Sequence, residues 1–132
     1  MKVIDKLAWL EIKDEKILST RSRGRTKYYI PGGKRESGES DMEALAREIK
    51  EELNIELIED TVRFAGVFQA QADSHAEGIQ VKMTCYKSSY KGTISPSGEI
   101  EEVIWLTYRD RSLVSPVDQL IFDWLKERKQ IQ

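Results

Sequence analysis

The chain has 132 residues, 39% of them apolar and 33% charged, which fits one globular domain and excludes a disordered chain or two full domains. Its net charge of −2, from 21 basic and 23 acidic side chains, excludes the basic surface that duplex nucleic acid needs. The single cysteine, Cys85, excludes an internal disulfide framework and a cysteine-rich zinc site, and no apolar run approaches membrane-spanning length.

The N-terminal MKVIDKLAWLEIKDEK carries a charge every few residues, so it does not read as a signal peptide and a cytoplasmic location is expected. Residues 3–12 and 16–21 read as strands of a hairpin about the polar turn Lys13-Asp14-Glu15. The basic stretch from Thr20 to Lys27 reads as a loop. Tyr28, Tyr29 and Ile30 form a short β-prone segment that stops at Pro31-Gly32-Gly33. Next comes Ser40-Asp41-Met42-Glu43, the pattern of a capping box. Met42, Leu45, Ala46, Ile49 and Leu53 then recur at helical spacing, and Asn54 tolerates the left-handed conformation that ends helices. A helix over 40–53 follows.

Thr61–Ala70 places Val62, Phe64, Gly66, Phe68 and Ala70 on one side of a strand. Residues 79–86 alternate Ile79, Val81, Met83 and Cys85 against polar partners. GTISPSG at 92–98 is a loop, and Val103–Leu106 a short buried strand. Ser115-Pro116 opens a second helix with a buried face of Val117, Leu120, Ile121, Trp124 and Leu125. This order of elements predicts one layered α+β domain over 1–132, a mixed sheet between two helices.

On the first helix, Glu48, Glu51 and Glu52 in REIKEEL share one flank without a lysine. Like charges at spacing i, i+3, i+4 weaken a helix and raise one another's pKa unless a cation compensates. A hard divalent cation such as Mg²⁺ is the natural partner for such oxygens, and a solvated Glu-rich face is the plainer alternative. Pro31-Gly32-Gly33 upstream allows close approach of backbone to a ligand, though a bare turn would use the same residues.

Together, loop and helix resemble the Nudix box, G-x5-E-x7-R-E-U-x-E-E-x-G-U with U aliphatic. Gly33, Glu39, Arg47-Glu48-Ile49, Glu51-Glu52 and Ile55 fill its fixed positions, and Asn54 stands in place of the last glycine. The resemblance implies a Nudix-type α/β/α sandwich and Mg²⁺- or Mn²⁺-dependent hydrolysis of a diphosphate in a nucleotide or nucleoside diphosphate derivative. It implies Glu48, Glu51, Glu52 and the Gly32 carbonyl as metal ligands, with Arg47 and Glu39 as the pair that orients them. Glu48 is one candidate base, and a base or further ligand is also expected in a later loop, from Glu99, Glu101 or Glu102, of which Glu99 is favoured. Substrate contacts are expected from Arg23, Lys27, Tyr28, Gly33, Lys34 and Phe68, although β-strand aromatics also serve packing. His75 reads as a surface residue, and Trp9, Trp105 and Trp124 as core.

Two other classes share the fold. A nucleotide-binding or sensor module would have lost catalysis, and with it a box carboxylate. An isopentenyl diphosphate isomerase-like protein would be longer and use a cysteine near the site, for which Cys85 is poorly placed. Dimers are common among similar proteins, so a homodimer is one expected state.

Overall fold

The structure, a computed structural model, describes residues 2–72 and 77–132. Strand β1 (Lys2–Trp9) lies inside the main sheet. It pairs antiparallel with β4 (Gly32–Lys34) and parallel with β7 (Ile79–Lys87). Strand β6 (Arg63–Gln71) adds to β7, so the strand order is β4-β1-β7-β6. A second sheet joins β2 (Ile12–Lys13), β3 (Lys16–Ser22) and β9 (Ile100–Leu106). Between these come β5 (Glu56–Leu57) and β8 (Tyr90–Lys91), a two-stranded ribbon.

Helices α1 (Asp41–Leu53) and α2 (Pro116–Glu127) cover opposite sides. The period of two along a strand explains how one strand serves both. Leu7 and Trp9 point into the core under α1, among Leu45, Ile49 and Leu53. Ala8 and the following Leu10 point into the core under α2, among Ile121, Phe122 and Leu125. This is the α+β sandwich with a mixed sheet that the sequence predicts.

Helix α1 starts as its capping box dictates. Ser40 Oγ accepts from the Glu43 amide (3.1 Å), and Glu43 Oε1 accepts from the Ser40 amide (2.9 Å). It ends at Asn54, whose φ of 56° and ψ of 38° are left-handed. Asparagine, which tolerates this conformation, thus ends the helix as the sequence predicts.

Several local expectations are corrected. The segment 3–12 is not one arm of a hairpin. It breaks after Trp9, and only β2 and β3 form the hairpin, about Asp14 and Glu15, both at positive φ (53° and 60°). The first part is claimed instead by long-range pairing with β7, and Leu10 donates its amide to the Tyr86 carbonyl (2.9 Å). Tyr28 and Tyr29 make single bridges rather than a strand. In β6 the register shifts between Phe64 and Gly66, so Phe64 does not share the core face of Phe68 and is exposed. On α2, Leu120 is exposed, and Phe122 and Asp118 are buried in its stead. The last strand is longer than expected, beginning at Ile100. His75 lies outside the described residues.

The left-handed end of α1 gives a direct test. Asn54→Gly should leave stability within about 0.5 kcal/mol, whereas Asn54→Val should cost roughly 1–2 kcal/mol, because a β-branched residue is strained at positive φ. Denaturant unfolding of the two variants beside wild type measures both.

Candidate active site

The site forms where β4, α1 and the chain before β9 meet. Gly32 sits at φ 145°, and a Cβ there would lie 2.0 Å from the Leu7 carbonyl oxygen. A Cβ at Gly33 would lie 2.6 Å from the Glu48 carboxyl. Glycine is therefore required at 32 by the β1 backbone, while at 33 any larger residue would displace the Glu48 carboxyl. The approach it permits brings the Gly32 amide to Glu52 Oε1 at 3.3 Å.

Arg47 fixes the helix against the loop. Its Nε and Nη2 donate to the two oxygens of Glu39 at 2.7 and 2.9 Å, a bidentate pair. Nη2 also donates to the Lys34 carbonyl (3.1 Å), and Nη1 to Glu48 Oε1 (3.0 Å). The Arg47 hydrogen bonds, helped by the Glu36 amide, lower the Glu39 carboxyl to about 2. Glu39 and Arg47 are thus joined, and through Arg47 so is the orientation of Glu48.

The loop 92–98 closes the far end of α1. Ser97 donates its amide to the Glu52 carbonyl (3.0 Å) and Ser95 to that of Leu53 (3.1 Å). Gly98, at φ 59°, passes close to the helix: a Cβ there would lie 3.1 Å from the Glu51 carbonyl oxygen. This path delivers Glu99 to the site, where its carbonyl accepts from the Arg23 amide at 2.9 Å. The other two acids of the segment turn elsewhere. Glu101 pairs with Arg21 at 2.7 Å, and Glu102 accepts from Arg21 (3.2 Å) and from the Tyr28 hydroxyl (2.7 Å).

Glu48, Glu52 and Glu99 line a cleft of about 520 Å³ together with Gly32, Gly33, Lys34 and Arg23. Glu51 is exposed and reaches Arg47 at 3.5 Å. Among the described residues, no three acidic, histidine or cysteine side chains stand grouped as a ready-made metal cage. Of the expected substrate contacts, Arg23, Gly33 and Lys34 line the cleft. Tyr28 is engaged with Glu102, and Phe68 packs edge-on against Trp124 (5.5 Å between centroids). Neither these two nor Lys27 is among the lining residues. Sequence reading passed over Lys6, Ser115 and the Ile30–Val117 wall, all of which line it, as does Arg25 of the basic stretch before the glycine loop. A lysine interrupting the apolar run of β1 was the signal for the first.

Cys85 is fully buried under α2, where burial pushes its thiol far up, and it does not line the cleft. A cysteine-dependent isomerase chemistry has no nucleophile there.

Glu52 is the electrostatic centre. Burial raises its carboxyl from the ordinary 4.5 to about 8, and Glu48, Glu99 and Glu51 add to that, against the Gly32 amide. Glu48 is raised too, chiefly by burial, with Arg47 opposing. Two desolvated carboxyls beside a glycine backbone form a hard-oxygen donor set, which fits Mg²⁺ or Mn²⁺.

A raised carboxyl stabilises the fold while protonated and ceases to as pH rises through its folded-state value. Glu52→Gln removes that dependence. In chelator, Glu52→Gln should gain on wild type between about pH 5 and about pH 9, reaching roughly 2–4 kcal/mol, and excess Mg²⁺ should narrow the gap. Denaturant melts across pH measure this, and a gap that stays flat with pH would contradict it.

The chain is similar to known proteins along most of its length. The family model of the NUDIX domain matches residues 7–125. An uncharacterized Nudix hydrolase of Bacillus subtilis (strain 168), YvcI, is 29% identical over 114 residues, which is 85% of this chain and 72% of that protein. The solution structure of the E. coli ORF135 protein is similar with a TM-score of 0.74 and 26% identity, covering 97% of this chain and 92% of that one. The MutT protein from Methanosarcina mazei Go1 shares the fold, with a TM-score of 0.75 at 20% identity over 96% of this chain and 95% of that one. With the match spanning both helices and the main sheet, the chain belongs to the Nudix family.

Proposed function

We propose that the protein is a Mg²⁺- or Mn²⁺-dependent pyrophosphohydrolase that cleaves a diphosphate bond in a nucleotide or nucleoside diphosphate derivative. The observation that carries this reading is the meeting of two half-buried carboxyls, Glu48 and Glu52, with the Gly32-Gly33 backbone in a cleft that also presents Arg23, Arg25 and Lys34. Acidic and basic groups in one cleft suit a metal-bound phosphate ligand better than either a bare cation or a bare anion.

Glu48, Glu52 and the Gly32 carbonyl would hold the ion, with Glu51 turning in from the rim. When bound, the ion neutralises phosphate oxygens and lowers the pKa of coordinated water. Arg47 keeps Glu48 in place while Glu39 keeps Arg47 in place. Arg23 and Lys34 hold the phosphate oxygens. Glu99, brought to the cleft by the loop that caps α1, takes the proton of the attacking water. Water oxygen bonds to phosphorus, the bridging P–O bond breaks, and two phosphorylated products leave. The apolar wall at Ile30, Met83 and Val117 receives the organic group.

No helix among the described residues is long and apolar enough to cross a membrane.

A phosphate-release assay with Mg²⁺ over a panel of nucleotides and nucleoside diphosphate derivatives tests the reading. At least one compound should be hydrolysed, with chelator abolishing turnover and Glu52→Gln lowering kcat about 100-fold or more. Glu99→Gln should lower kcat by about 10²-fold with little change in KM. A folded protein that neither hydrolyses any member of the panel nor binds Mg²⁺ would instead favour a binding module.

A further inference from the structure

The floor of the cleft is a patch of sheet where β1 and β7 run side by side. Ile4 stands opposite Val81 and Lys6 opposite Met83, and all four line the cleft. Three of them are apolar, so packing alone would be served by a fourth. The fourth is a lysine.

Lys6 is half-buried, and burial lowers the pKa of its ammonium. Across the β1–β4 pair it faces Lys34, which also lines the cleft. Like charges placed opposite each other in a sheet repel, and Lys34 pulls the Lys6 ammonium down further. Asp118, Glu52 and Glu48, in that order, offset this. The two glutamates belong to the candidate metal end, whereas Asp118 belongs to the start of α2 beside the apolar wall. Paired with Lys34 of β4 on one side and Met83 of β7 on the other, Lys6 stands at the boundary between the charged and the apolar lining of the cleft. Two residues along β1, about 7 Å away, the floor has become Ile4.

An organic diphosphate lying along this cleft has one phosphate at the same boundary: the one that carries the organic group. We propose that Lys6 is a specificity-determining residue whose ammonium binds that inner phosphate. The inference rests on the diphosphate reading above, but it concerns a subsite that is filled without metal and without turnover. A half-dry ammonium gains more from an anion than a solvated one does, because water competes less. The cleft should therefore prefer a phosphorylated organic group to the same group bare, and should hold a monophosphate product.

The test is calorimetric binding, in chelator, of the common nucleoside 5′-monophosphates and the matching nucleosides. Wild type should bind at least one monophosphate about tenfold or more tighter than its nucleoside. Lys6→Met, whose side chain suits the apolar floor, should lose that preference while binding the nucleoside as before. Lys6→Arg, which keeps the charge, should restore most of it, and a thermal melt checks that each variant is folded. On a turned-over diphosphate, Lys6→Met should raise KM about tenfold with kcat little changed.

The inference is overturned if wild type shows no preference for a monophosphate, or if Lys6→Met keeps it. It is overturned equally if Lys6→Met weakens nucleoside and monophosphate alike, since that is a packing effect. Glu52→Gln separates the two claims. Loss of Mg²⁺-dependent hydrolysis there, with no effect of Lys6→Met on the monophosphate, sinks the inference and leaves the hydrolase standing.

Discussion

The close approach of β4 to its neighbours is the constraint on which the rest depends. With a Cβ only 2.0 Å from the Leu7 carbonyl, no residue but glycine fits at position 32 without moving β1. With one 2.6 Å from the Glu48 carboxyl, a side chain at 33 would push that carboxyl aside. β1 is itself pinned from both sides, by the core under α1 and the core under α2. The glycine pair therefore lies between the rigid β1 backbone and the Glu48 side chain of α1. Its backbone is presented to the carboxyls of α1 at hydrogen-bonding distance. A hydrophobic core sets the geometry of a polar site here, because the strand that organises the core is the strand that the glycines touch.

That geometry carries an electrostatic load. Glu39 is held ionised by Arg47, but Glu52 and Glu48 are pushed toward protonation chiefly by burial, and Glu52 by Glu48 as well. Within one helix and its loop, the acids therefore fall into two roles. One locks an arginine, and through it the loop. The others sit desolvated at a cleft that basic residues also line. Such a load is costly to a fold unless something offsets it. A divalent cation and an anionic ligand together are the simplest offset that both kinds of group accept.

Much of this was legible in the sequence where a local pattern decides the outcome. The capping box fixed the start of α1, and the carboxylate flank followed from the helical period. The alternation at 79–86 put Val81, Met83 and Cys85 inside. What was not legible depended on distant partners. Nothing local in KVIDKLAW announces parallel pairing with a strand more than seventy residues away. The bulge at Phe64–Gly66 turned a regular-looking pattern inside out. Tyr28 and Phe68 were reasonable stacking residues by type, but Glu102 and Trp124 engage them. Among Glu99, Glu101 and Glu102 the sequence offered no decisive difference. The loop that caps α1 separates them, turning Glu99 to the cleft while Arg21 draws the other two away. Lys6 was visible only as a charge in an apolar strand, and its meaning came from the floor around it.

The central claim is that the half-buried carboxyls of α1 are held for a cation. Its most direct measurement is a carbon-13 NMR titration of the glutamate carboxyls, with and without Mg²⁺. Without the ion, Glu52 should titrate well above an ordinary glutamate, near the value of about 8 that burial gives it. With saturating Mg²⁺, its titration should move down by about two units or more, while Glu39, locked by Arg47, stays low. A Glu52 titration that Mg²⁺ leaves in place would contradict the account.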